Sequence, residues 1–136
     1  MSTILVFGTF DPLHAGHEYL FREAKKLGDR LIVVVAQDEN IRREKHREPR
    51  MPQADRLHAV SAVACIDNAV LGDADPSEYA LLKSLAFDCI ALGYDQRPSN
   101  EDVRAILHAI GKEHVRVVRL PAYKPEQYKS SLIGTS

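Results

Sequence analysis

The chain has 136 residues, 45% hydrophobic and 27% charged, the proportions of a soluble globular protein large enough to bury a core as a single domain, 1–136. Eighteen basic against nineteen acidic residues leave a net charge of −1, which argues against a general nucleic-acid or membrane surface. No apolar run approaches a membrane span, and no charged segment followed by an apolar signal core opens the chain, so the expected location is cytoplasmic.

In chain order, Thr3 to Phe7 reads as a first strand, and a glycine-punctuated turn, Gly8-Thr9-Phe10-Asp11-Pro12-Leu13-His14-Ala15-Gly16-His17, follows it. Glu18 to Leu27 reads as a helix with Leu20, Phe21, Ala24 and Leu27 on one face and Gly28 as its C-terminal cap. Leu31 to Ala36 is a Val-rich run of the kind found in parallel strands covered on both faces. Asp38 to Arg50 is charged, lacks apolar periodicity and reads as an exposed loop with at most a short helical start. Pro52 opens a helix with Leu57, Val60 and Ala64 on one face, and Ala69 to Leu71 is a short strand.

Asp75-Pro76-Ser77-Glu78 carries a helix-start signature, predicting a helix to Leu85, and Asp88 to Leu92 is a fourth strand ending at Gly93-Tyr94-Asp95-Gln96. Ser99 caps a helix that buries Val103, Ile106, Leu107 and Ile110 and ends near Gly111. Val115 to Leu120 is a fifth strand whose Arg116 and Arg119 suit an edge position. This alternation predicts an α/β fold with a parallel sheet and right-handed crossovers. Cys65 and Cys89 lie in apolar contexts and read as buried structural thiols.

A strand, a glycine turn and a helix start make a phosphate site, because the helix brings free N–H groups and a positive dipole end. His14 and His17 project from that turn as donors suited to phosphate oxygens, and Gly16 between them keeps the backbone open to a ligand. Two structural histidines, or a zinc pair, are the competing readings. Zinc needs at least a third ligand, which no other His or Cys spacing supplies.

The ten residues resemble the G-x-F-D-x-x-H-x-G-H signature of nucleotidyltransferases related to cytidylyltransferases, with every fixed position present as Gly8, Phe10, Asp11, His14, Gly16 and His17. The resemblance implies a Rossmann-like three-layer fold with a five-stranded sheet in the order 3-2-1-4-5. Gly8 to Asp11 and Gly93 to Gln96 then face each other at the switch point where open α/β sheets bind ligands. It also places a lysine and an arginine, here Lys45 and Arg56, at the phosphates of substrate or nucleotide. Asp38 joins them on the substrate side, and Gly93 and Asp95 lie near base and ribose. The family's closing hydroxyl run matches Ser130 and Ser131, with Leu132 where the family has a basic residue and Lys124 or Lys129 available in compensation. Relatives are commonly homodimers.

No Walker A sequence and no G-x-G-x-x-G occurs, and no Ser or Cys stands in a nucleophile setting. Nucleotidyl transfer to a phosphomonoester needs none of these, since that acceptor ionises with a second pKa of about 6. His14 and His17 are expected to donate to the triphosphate, with the N–H groups of Thr9 and Phe10 adding to this. Asp11 is placed near the metal, the acceptor or the histidines, a plain turn role being the alternative. Mg²⁺ is expected with the nucleotide and no dedicated protein cage is visible. The basic segment 42–50 is a candidate lid over bound phosphates.

Over its whole length the chain resembles two small groups, bacterial glycerol-3-phosphate cytidylyltransferase and archaeal FAD synthase. Val34-Val35-Ala36-Gln37-Asp38-Glu39, Leu92-Gly93-Tyr94-Asp95-Gln96, Leu120-Pro121 and the spacing from Lys45 to Arg56 favour the second. The expectation is transfer of AMP from ATP to FMN. A CTP:glycerol-3-phosphate enzyme, or a nucleotide-binding relative with little activity, are the alternatives.

Overall fold

The computed structural model describes residues 2–74, 79–94, 96 and 99–121. Five parallel strands, β1 (Thr3–Gly8), β2 (Arg30–Val35), β3 (Asn68–Leu71), β4 (Cys89–Leu92) and β5 (Arg116–Arg119), form one sheet in the order β3-β2-β1-β4-β5. Five helices connect and cover it: α1 (Ala15–Lys25), α2 (Asp38–Lys45), α3 (Gln53–Ser61), α4 (Ala80–Ser84) and α5 (Asn100–Ala109). This is the expected α/β architecture and strand order.

The two-residue strand period divides the core into two layers. Ile4, Val6, Leu31, Val33, Val35, Cys89 and Ala91 point to one face, against Phe21 and Ala24 of α1 and Val60 of α3. Leu5, Ile32, Val34, Ile90 and Leu92 point to the other, against Val103 and Leu107 of α5. Leu31 to Val35 is buried throughout, which is why β2 carries no alternation. β5 takes an edge, as its arginines require, and Arg116 stands in solvent.

Several boundaries differ from the sequence reading. Helix α1 starts at Ala15, not Glu18, because His14 is itself the N-cap. Its C-cap is Lys26, and Gly28 answers a different need: a Cβ there would meet Ile4 Cδ1 at 2.8 Å and the Ser2 Cβ at 2.9 Å, so the residue lets the chain pass close to the start of β1. The expected loop at 38–50 begins with a full helix, α2, that buries only Asn40 and Ile41. So narrow an apolar stripe leaves no sequence period to detect. Ala64 lies past the end of α3 and is exposed, while Arg56 takes a buried position on that helix.

Helix α4 is shorter than expected, and its anticipated start at Asp75 to Glu78 lies outside the described residues. Ser99 caps α5 as expected, with Oγ accepting from the Asp102 N–H at 3.0 Å, and Gly111 beyond it has φ +79°. Cys89 is buried and Cys65 only half-buried, and both are free thiols whose pKa burial raises. No helix among the described residues is long and apolar enough to cross a membrane.

Candidate active site

The carboxyl ends of β1 and β4 lie side by side, and the turn after β1 organises the site. A Cβ on Gly8 would meet the Phe10 ring at 2.5 Å, so glycine lets that ring fold back over the strand end. Phe10 adopts φ +54° and is buried, with its ring edge-on to His17 at 5.0 Å and tilted against Phe21 at 5.2 Å. Thr9 and Asp11, on either side, line a pocket.

His14 and His17 close the start of α1 reciprocally. His14 Nδ1 accepts the Gly16 N–H at 3.1 Å, and His17 Nδ1 accepts the His14 N–H at 3.2 Å. The two rings stack 3.7 Å apart at 17°. With its Nδ1 accepting, the proton of a neutral His17 ring sits on Nε2, an N–H donor for a ligand. Burial, the neighbouring His14 and then Lys45 push the His17 pKa down to about 4.

That shift ties stability to pH. The folded state resists protonating His17 while the unfolded chain protonates it at about 6.5. The contribution is therefore complete above about pH 6.5, is lost as pH falls toward about 4, and amounts to about 3 kcal/mol over that window. His17→Gln is expected to flatten the dependence between pH 6.5 and 4 in urea-unfolding measurements. An unchanged slope would mean that His17 ionises freely in the folded protein.

The partners of Asp11 lie in the segment after α2. Its Oδ2 accepts the Arg50 N–H at 2.8 Å and Arg47 Nη1 at 3.1 Å, and its Oδ1 accepts the Met51 N–H at 2.8 Å. Burial alone raises the Asp11 pKa, but the Arg50 N–H, the Arg47 guanidinium and the Met51 N–H together hold it below the usual carboxylate value. Asp11 thus fastens the segment after α2 to the turn after β1. The segment expected to be a free lid is anchored at this point.

Arg56 is fully buried. Its Nη1 donates to Thr9 O at 2.9 Å and Ala36 O at 2.7 Å, its Nε to Met51 O at 2.9 Å, and its Nη2 to Asp38 Oδ1 at 2.6 Å. Asp38 in turn receives Gln53 Oε1 at its backbone N–H, at 2.8 Å. Arg56 was expected at the phosphates and Asp38 on the substrate side; the two pair with each other, and neither lines the pocket. One guanidinium joins the ends of β1 and β2, the start of α2 and the approach to α3.

The pocket, about 250 Å³, is lined by Thr9, Asp11, Pro12, His17, Lys45, Arg47 and Arg50. Drug-sized ligands occupy about 300–1,000 Å³, so this space suits a phosphate group and not a whole nucleotide. A larger open groove of about 730 Å³ runs along α5 and β5 and is lined largely by Leu107, Val115, Val117 and Val118 with scattered charges. His17, Lys45 and the turn after β1 lie at the smaller one.

On the neighbouring strand end, Gly93 is held by its surroundings. Its N–H donates to Gln96 Oε1 at 2.7 Å, Gln96 Nε2 donates to Phe7 O at 3.2 Å, and Arg119 Nη1 donates to Gly93 O at 2.7 Å and Gln96 O at 3.0 Å. The turn expected near base and ribose is therefore seated on the end of β1. Asp95, Lys124, Lys129, Ser130, Ser131 and Leu132 lie outside the described residues. Arg47 and Arg50 were read only as part of the basic segment 42–50, Gln96 only as part of the turn after β4 and Arg119 only as an edge residue, because no spacing rule links them to Asp11 or Gly93.

Among the described residues no group of three or more His, Cys, Asp or Glu side chains is disposed to hold a metal ion. Asp11, the one carboxylate at the pocket, already accepts three hydrogen bonds. This donor set fits a divalent cation carried by nucleotide phosphates, as Mg²⁺ commonly is.

Parallel order β3-β2-β1-β4-β5, with an His-x-Gly-His helix start at the switch point, defines a class, and the chain belongs to it: residues 5–135 match the cytidylyltransferase-like family. Within that class it is similar to archaeal proteins named FAD synthase. The protein of Pyrococcus horikoshii is 42% identical over 131 residues, covering 96% of this chain and 88% of the relative. That of Archaeoglobus profundus is 40% identical, covering 96% and 82%. A crystal structure described as a lipopolysaccharide core biosynthesis protein from Thermoplasma volcanium superposes with a TM-score of 0.80 at 34% identity, covering 91% of this chain and 99% of that one.

Proposed function

We propose that the protein transfers AMP from ATP to FMN, producing FAD and pyrophosphate. The observation that carries this reading is His17, stacked on His14 at the start of α1 with Nδ1 engaged and Nε2–H left as its donor, in the wall of a cationic pocket of phosphate size. The FAD synthase names of relatives at about 40% identity over nearly the whole chain support ATP and FMN as the pair.

A terminal oxygen of the FMN phosphate attacks the α-phosphorus of ATP in line. The bond from that phosphorus to the bridging oxygen of pyrophosphate breaks, and pyrophosphate leaves with the electron pair. The acceptor phosphate, with a second pKa of about 6, is already ionised, so no general base is required. What the protein supplies is positioning and charge stabilisation. His17 donates Nε2–H to the triphosphate as charge moves onto the leaving group, His14 holds the His17 ring by stacking on it, and the positive end of α1 reinforces the pair. Lys45, exposed at the end of α2, brings a further cation. A divalent cation travelling with ATP neutralises part of its charge.

The test is pyrophosphate release with Mg²⁺, crossing ATP and CTP against FMN and glycerol 3-phosphate. Turnover with ATP and FMN alone is the expected result. Turnover with CTP and glycerol 3-phosphate alone would replace the substrates and retain the mechanism, and nucleotide binding without turnover for any pair would leave a binding protein.

A further inference from the structure

The basic residues between 42 and 50 divide by what they touch. Arg42 Nη1 pairs with Glu39 at 3.1 Å and its Nε with Glu48 at 2.9 Å, and Arg43 Nη1 donates to Asn40 Oδ1 at 2.9 Å. Arg47 is committed to Asp11 and to Glu48 O. Lys45 and Arg50 remain. Both line the pocket beside His17, and among the described residues neither side chain has a hydrogen-bonded acceptor.

We propose that Arg50 binds the phosphate of the acceptor substrate, acting with Lys45. The identity of that phosphate as the acceptor's rests on the nucleotidyl-transfer reading. The placement of Arg50 rests on geometry alone. Its backbone N–H is fixed to the buried Asp11 carboxylate at 2.8 Å, so the residue is rooted in the pocket wall while its guanidinium remains exposed. Asp11 therefore does two things with one carboxyl group: it occupies Arg47 and it fixes the main chain of Arg50 in the pocket wall.

Charge agrees with this assignment. Lys45, Arg47 and Arg50 against Asp11 leave two positive charges on the pocket, with His17 neutral near pH 7. A phosphomonoester carries about −1.5 to −2 at that pH. The planar guanidinium fork suits two phosphate oxygens at once, which a lysine cannot match.

Calorimetric titration with FMN, riboflavin and inorganic phosphate separates the parts. Riboflavin has the ring system without the phosphate. Arg50→Ala is expected to weaken FMN and inorganic phosphate about 10- to 100-fold, the usual range for a lost charged hydrogen bond, and to leave riboflavin unchanged. Arg50→Lys should recover part of the loss. In turnover, KM for FMN should rise while KM for ATP and kcat at saturating FMN hold. Arg42→Ala, already paired away from the pocket, should behave as wild type. An Arg50→Ala protein that binds inorganic phosphate and FMN as wild type does would overturn the proposal. Phosphate binding that depends on Arg50, in a wild-type protein with no preference for FMN over riboflavin, would uphold the phosphate site and remove FMN as its owner.

Discussion

Replacing His17 with alanine is expected to lower kcat about 10²- to 10³-fold, the scale for losing one aligned donor to a developing negative charge. Two structural facts set that size. His17 Nδ1 is engaged by the His14 N–H, so Nε2–H is the ring's available donor, and its stacking on His14 and edge contact with Phe10 fix the direction of that donor. Alanine removes the donor and half of the reciprocal cap, so some stability is lost with activity. His17→Gln separates the two effects, because its amide oxygen is able to take the cap bond without reproducing the imidazole. Steady-state kinetics on both variants, at matched folded fraction, supplies the check. Equal kcat in wild type and both variants would exclude His17 from the chemistry.

The second large effect belongs to Arg56. Arg56→Ala is expected to destabilise the protein by about 3–5 kcal/mol, the range for breaking a buried ion pair by removing one partner. The truncation strips hydrogen bonds from Thr9 O, Ala36 O and Met51 O and leaves Asp38 without its cation. For a domain of this size the midpoint of thermal unfolding should fall by about 10 °C or more. Arg56→Lys should recover little, because one ammonium cannot span acceptors that a guanidinium reaches with three nitrogens. A thermal melt decides the matter. A variant that melts as wild type but shows a raised KM for FMN would return Arg56 to the substrate, where the family resemblance had placed it.

That contrast shows how far residue patterns reach. β1, β2 and β4 were legible because strands covered on both faces must be apolar along their length, and β5 declared its edge position through Arg116 and Arg119. The His14–His17 turn was legible because its chemistry lies within ten consecutive residues. Helix α2 was not, since it rests on the fold through Asn40 and Ile41 alone and otherwise reads as solvated charge. Asp11 was read near the metal, the acceptor or the histidines, or as a turn residue, and Arg56 was placed at phosphates by family resemblance. Neither reading contained their partners: those of Asp11 lie 36 to 40 residues further along the chain, and no local pattern carries that separation.

The reciprocal cap at the start of α1 has an evolutionary side. Asn, Asp and Ser are the residues that best begin a helix, and drift toward better helix starts would favour them at position 14. Here the cap is built from two imidazoles whose Nδ1 atoms accept backbone N–H groups and whose rings stack, with His17 lining the pocket. A substitution to asparagine at position 14 would keep the cap and remove the ring stacked on His17. Capping alone therefore does not call for histidine at this position.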